Sequence, residues 1–287
     1  MTPAQNAVAS IFLKTLLSTI FALFLCGAAH AQTTQSPVGT TPPMTAPIDT
    51  QYPVLPANAV SLKDEPHHRL VLSNEFVKAY LVSVQPNDTT LLHQHDLPYL
   101  YVDLGNADFI NAVQGKPEAH VTQADGDSHF SPGKFAHLVR TDAGLPFKNV
   151  TMELLHPQNN LRNLCRQVAP AGATAGACPI PDAANKSLDQ ISSDRIPYFE
   201  SDEVLVEVMK VSGEHEFSEA EPRTGALLVA LSNSNLNVSL AGEHITFLHE
   251  GDVVWLPAGK SRKVVDFLGT RSNFMLVSFK DATAAAK

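Results

Sequence analysis

Between Leu70 and Leu155 the chain is a succession of short runs in which apolar and polar residues alternate, broken by turn-forming residues. A period of two places every second side chain on one face, so these runs predict strands over residues 76–84, 99–104, 108–113, 119–122, 135–140 and 149–155. Strands at this spacing point to a sandwich or a closed barrel.

The pattern repeats. Gly126, Asp127, Pro132 and Gly144 match Gly251, Asp252, Pro257 and Gly269, each pair 125 residues apart, and Tyr80 to Gln85 resembles Glu207 to Ser212 at a separation of 127. Four Gly, Asp and Pro matches at one separation imply duplication. The expected fold class is therefore all-β: two tandem antiparallel jelly-roll barrels over residues 60–157 and 196–282. An irregular linker, 158–195, joins them. A chain of 287 residues has room for two domains, each with its own core.

Composition agrees with a globular, turn-rich protein: 44% of residues are hydrophobic, 17% are charged, and Pro outnumbers Gly by 20 to 15. A formal charge of −9 with no run of Lys or Arg removes the basic footprint that nucleic-acid binding requires.

Lys14 is the only charged side chain before Asp49. The apolar run from Thr15 to Leu25 is too short to span a bilayer comfortably, and it ends in Ala29-His30-Ala31, a small-x-small cleavage pattern. Residues 1–31 are expected to be a cleaved secretory signal, and 32–59 a flexible leader rich in Thr, Pro and Ser. The mature protein would then begin at Gln32, in the periplasm or outside the cell, with no further membrane span. An uncleaved anchor is the alternative; a lipid at Cys26 is disfavoured by the bulky Leu25 before it. With Cys26 removed, Cys165 and Cys178 remain as an even pair in an oxidising compartment, and a disulfide between them would be worth about 3 kcal/mol. A cysteine-based metal site or nucleophile lacks both a CxxC and a nearby His.

The candidate chemistry lies in His93-Gln94-His95 and in Gly126-x5-Pro132-Gly133-x3-His137. On a strand His93 and His95 project from one face about 7 Å apart, close enough to converge on one ion. His137 follows the turn-forming Ser131-Pro132-Gly133 at a strand start, from which it can face them. Imidazoles suit one divalent transition metal, Fe, Mn, Zn, Cu or Ni, without choosing among them. Tyr99 and Tyr101 share a face, so both line the pocket or both turn outward. His67 and His68, being adjacent, point to opposite faces and read as an entrance segment, one of them reaching the pocket rim. His120, His129 and His156 lack partners at ligand spacing.

These two stretches resemble the two sequence motifs of the cupin superfamily, of general form G-x5-H-x-H-x(3,4)-E-x6-G and G-x5-P-x-G-x2-H, with the second glycine displaced by one position. The resemblance implies a bicupin whose first barrel carries a three-histidine metal site. Where the family places a glutamate ligand this chain has Tyr99 and Leu100. Asp96 and Asp103 are the nearest acids, and Glu153 in the closing strand is a distant additional donor. In the second barrel Arg262 stands at the place of His137, and Glu219-x-Glu221 falls near that of His93-x-His95. A guanidinium cannot ligate a cation, so this barrel is expected to bind no metal and to act as a packing and dimerisation scaffold. An Arg that holds an anionic ligand is the alternative.

The function implied is a metal-dependent enzyme, dioxygenase-like, acting on a small polar or aromatic molecule, with Tyr99 as proton donor. A non-enzymatic bicupin that binds a small ligand or metal is the alternative, and a metal-assisted isomerase or lyase a further one. Arg140, the one arginine near the motif, is an odd number of residues from His137 and should point away from it. Self-association is left open.

Overall fold

The computed structural model describes residues 58–142, 144–165, 168, 174–175, 195–211, 214–217, 224–232, 236–240, 243–245, 247–258, 262–266 and 272–280. The expected signal, most of the leader, Cys178, Glu219 and Glu221 lie outside them.

The first half runs β1 (Val60–Ser61), β2 (His68–Ser73), β3 (Val77–Val84), β4 (His93–His95), β5 (Tyr99–Asp103), β6 (Ala107–Val113), β7 (Ala119–Gln123), β8 (Ser128–Ser131), β9 (Phe135–Arg140) and β10 (Phe147–Leu154). Two short strands follow, β11 (Arg162–Asn163) and β12 (Thr174–Ala175). The second half runs β13 (Arg195–Glu200), β14 (Val204–Val211), β15 (Glu214–Phe217), β16 (Gly225–Ala230), β17 (Leu236–Leu240), β18 (Glu243–Ile245), β19 (Val253–Pro257), β20 (Arg262–Asp266) and β21 (Ser272–Phe279). Among the described residues the only helix is a 3-10 turn at Leu62–Asp64, and no helix is long and apolar enough to cross a membrane.

Strand order shows the duplication. The sheet β2-β3-β10-β5-β8 recurs as β13-β14-β21-β16-β19, and β4-β9-β6-β7 recurs as β15-β20-β17-β18. The fold is all-β, two tandem jelly rolls. Their ladders are antiparallel, apart from the parallel pairs β1–β4 and β11–β12. Gly126 and Gly251 share a positive φ, 79° and 85°, at matching turns.

Each half has a core of its own, that of the first including Val82, Val84, Phe109 and Phe147, and a further cluster joins the two. The largest core cluster is shared: Val77, Leu100, Val150 and Met152 of the first half pack with Val206, Leu227, Met275 and Val277 of the second. Phe130 stacks on Phe199 with ring centroids 4.8 Å apart. Alternation explains this. β3, β5 and β10 send one set of side chains to the partner half, while Tyr80, Tyr99, Tyr101, Asn149 and Thr151 occupy the alternate positions. In the second half those alternate positions fill a separate apolar core that includes Met209, Leu228, Phe274 and Leu276. Cys165 is buried in the shared cluster and is disulfide-bonded.

Candidate metal centre

The β4–β9 ladder sets His93 directly opposite His137 and His95 opposite Phe135. The turn before β9 fixes this register. Gly133 sits at φ +73°, and a Cβ there would lie 2.1 Å from the Leu97 carbonyl oxygen, so only glycine fits against the chain leaving His95. His95 Nε2 and His137 Nε2 are 3.1 Å apart. Atoms that ligate one ion at about 2.0–2.1 Å lie roughly 3.0–3.4 Å from each other.

A fourth imidazole joins them. His68, on β2, His93 and His95 each offer a ring nitrogen within 4.8 Å of the others, and ring centroids lie 4.7 Å apart for His68–His93 and 4.5 Å for His93–His137. All four side chains are buried.

Three of the four have one nitrogen committed to a fixed acceptor. His93 Nδ1 donates to the Leu91 carbonyl (2.9 Å), His137 Nδ1 to Asn111 Oδ1 (2.8 Å) and His68 Nδ1 to Glu65 Oε2 (2.6 Å). Each Nε2 therefore keeps its lone pair, which is how ligating histidines are ordinarily oriented. His95 has no such partner, and its Nδ1 is a buried atom without a hydrogen bond. Tyr99 stacks on the His95 ring at 4.1 Å instead. Burial, followed by repulsion from His68, lowers the His93 pKa to about 4, and burial holds His95 and His137 well below the ordinary imidazole value. These three rings are neutral at neutral pH. The donor set fits a divalent transition metal: converging neutral imidazoles, two of their nitrogens at ligand-to-ligand spacing.

Glu65 organises the approach. It is 1% exposed, and beyond His68 it accepts from His67 Nδ1 (2.8 Å) and from the Leu91 amide (3.2 Å), the residue whose carbonyl holds His93. Burial would raise its pKa, but the bonds from His68 and His67 outweigh that and lower it to about 2. His67 turns the other way, to Glu65 and to Asp88 Oδ2 at 3.0 Å.

The histidines open on a cavity of about 90 Å³ that Tyr99 and Tyr101 also line. The Tyr99 hydroxyl bonds Ser131, and burial pushes its pKa far up. Tyr101 belongs to a separate polar group. Gln123 accepts from the Tyr101 hydroxyl (2.7 Å) and from His129 Nε2 (2.9 Å) and donates to buried Asp103 (3.1 Å). Glu153 is not brought to the histidines: it does not line the cavity, and the Tyr80 hydroxyl lies 3.5 Å from its carboxylate. Asp96 is exposed, and Arg140 points outward to Glu118. Sequence reasoning placed His68 only at a rim and missed Glu65 and Asn111. The one available signal was the carboxylate three residues before His68.

In the second half the β15–β20 ladder sets Phe217 opposite Arg262, so Phe217 takes the register position that His93 holds in the first. That moves the comparison two residues from the expected Glu219-x-Glu221.

No protein-family model and no curated protein matches the sequence. In fold the chain is similar to cupin-domain and bicupin proteins among solved structures. AerE from Microcystis aeruginosa is 12% identical over 76% of this chain and 99% of its own, with a TM-score of 0.51. A cupin 2 conserved barrel domain protein from Leptotrichia buccalis is 11% identical, over 74% and 88%, with a TM-score of 0.45. The salicylate 1,2-dioxygenase of Pseudaminobacter salicylatoxidans is 14% identical, over 74% and 76%, with a TM-score of 0.46.

Proposed function

We propose that the protein is a metal-dependent enzyme of dioxygenase type, acting on a small molecule in the cavity of the first barrel and working outside the cytoplasm. The observation that carries this reading is the cluster of His68, His93 and His95, with His137 Nε2 3.1 Å from His95 Nε2 and three of the four rings with Nδ1 already committed. A bound divalent transition metal would supply Lewis acidity and, if redox-active, electrons to substrate and dioxygen.

The chain's own residues do the positioning. Asn111, the Leu91 carbonyl and Glu65 lock three rings, Tyr99 packs against the fourth, and the enclosing strands limit water to a small cavity. Tyr99 keeps its proton at any working pH and is engaged with Ser131, so its weight is in holding His95. Export is supported by the small-x-small sequence ending at Ala31 and by the disulfide-bonded state of Cys165. N-terminal sequencing of the mature protein should begin at Gln32.

One observation favours a second reading, a non-enzymatic carrier of the same ion. Among the described residues that line the cavity there is no carboxylate or amine to move a proton. The deciding experiment is metal analysis of protein purified from its native compartment, followed by oxygen uptake with small candidate substrates. One metal per chain and substrate-dependent uptake support the enzyme. One metal per chain with no uptake supports the carrier, and no metal overturns both.

A further inference from the structure

Beyond the histidines, the cavity wall is built of Val82, Val84, Phe109, Val121, Val139 and Phe147, with Thr90, Asn111, Asn149, Thr151 and the two tyrosines, Tyr99 and Tyr101, as its uncharged polar members. None of the described lining residues is Asp, Glu, Lys or Arg. The buried charge nearest to the histidines is negative, that of Glu65 behind His68. Outside the cavity, Arg140 is turned to Glu118.

Resting on the metal reading, we propose that this cavity selects small molecules with a single metal-binding head and a short, uncharged, hydrocarbon body, and rejects those with a second ionised group. Size sets the first limit. An apolar cavity of about 150 Å³ holds benzene, so one of about 90 Å³ holds a body of at most roughly four non-hydrogen atoms beyond the head that sits on the metal. Charge sets the second. An ion held by imidazoles meets one negative head, but a second ionised group held away from the ion, against the valine and phenylalanine wall, would lose its water and find no counter-charge in return. The same wall rewards hydrocarbon, each buried methylene being worth about fourfold in affinity until the space is filled. Access is from the side of Tyr101, Asn111 and Val121, the half-exposed members of the lining.

The test uses mature full-length protein loaded with Co(II). Binding of acetate, propionate, butyrate and β-alanine is followed by the visible spectrum of the metal and by calorimetry, with metal retention checked after each titration. Affinity should rise about fourfold from acetate to propionate, and β-alanine, whose ammonium is charged at neutral pH, should bind at least about tenfold more weakly than butyrate, which matches it in non-hydrogen atoms. Val121→Glu, which adds an anion at the half-exposed edge, should strengthen β-alanine binding by about tenfold or more. Loaded protein that binds β-alanine as tightly as butyrate, a flat series, or a Val121→Glu variant with unchanged β-alanine affinity overturns this proposal alone. Protein that takes up no Co(II) overturns the metal reading, and this proposal with it.

Discussion

In the first half Asn149 pairs with Asp103 and Thr151 with Tyr101; in the second, at the same ladder positions, Phe274 pairs with Ala230 and Leu276 with Leu228. Both halves use the same nine-strand order, yet at these positions one turns polar side chains into its interior where the other turns apolar ones. A jelly-roll interior can be a core or a site, and these two divide the roles. The site-bearing half gives up part of its interior packing, keeping an apolar cluster around Val84, Phe109 and Phe147, since its polar groups must be desolvated around a cavity. It is compensated on its other face, where Val77, Leu100, Val150 and Met152 are 0% exposed against the second half. The second half is therefore a stabilising partner, whose β13-β14-β21-β16-β19 face completes the core of the half with the histidines.

The comparison breaks first at the histidines. His95→Ala should take metal content from about one per chain to none, because it removes the ring whose Nε2 faces His137 at 3.1 Å. Arg262→Ala, across the ladder from Phe217, should leave it unchanged. Elemental analysis after exhaustive dialysis reads both, and full occupancy in the His95→Ala protein would remove the site altogether.

Next comes the filled interior. Phe274 is 0% exposed in the core of the second half, so Phe274→Ala should cost about 3–5 kcal/mol in denaturant unfolding. The loss should also reach the metal-bearing half, since the halves share a core. Metal retention that persists through unfolding of the second half would show that they fold independently.

Glu65→Gln comes third. It keeps the shape but takes the charge from the hydrogen bond that orients His68, and loss of such partners costs roughly 10–100-fold in metal affinity. Competition with a chromophoric chelator would measure it. An unchanged affinity would mean that His68 stands beside the ion without holding it.

Much of this was legible beforehand. Alternation located β3, β5, β6, β7, β9 and β10 to within two residues at either end, and the spacing of His93, His95 and His137 singled out three rings that the ladder brings together. What alternation could not tell is where its polar face points. In β10 the polar set Asn149, Thr151 and Glu153 is buried inside the first half, and the apolar set meets the second half. A pattern that ordinarily means one wet face here means two dry ones. Strand β2 escaped because exposed Arg69 and Leu70 interrupt its alternation. His68 escaped with it, since its place beside His93 depends on β2 pairing with β3.

The comparison is last sharpened at Asp103, whose counterpart is Ala230 and whose effect vanishes toward low pH. Asp103 is 0% exposed, and burial, with repulsion from Asp127 and Asp125, raises its pKa from 3.8 to about 8. In the unfolded chain the same carboxyl releases its proton near 3.8. Between those values the folded protein holds a proton that the unfolded one has lost. This group's contribution is therefore fully present below about pH 4 and is lost as pH rises to about 8. Asp103→Asn removes the titration and leaves a polar side chain beside the Gln123 amide. The variant should match the wild type near pH 4 and unfold several degrees higher near pH 8, while the second half, with Ala230 in this place, contributes no such slope. Thermal unfolding of both proteins across that range decides it, and parallel pH profiles would show that Asp103 is already ionised in the folded protein.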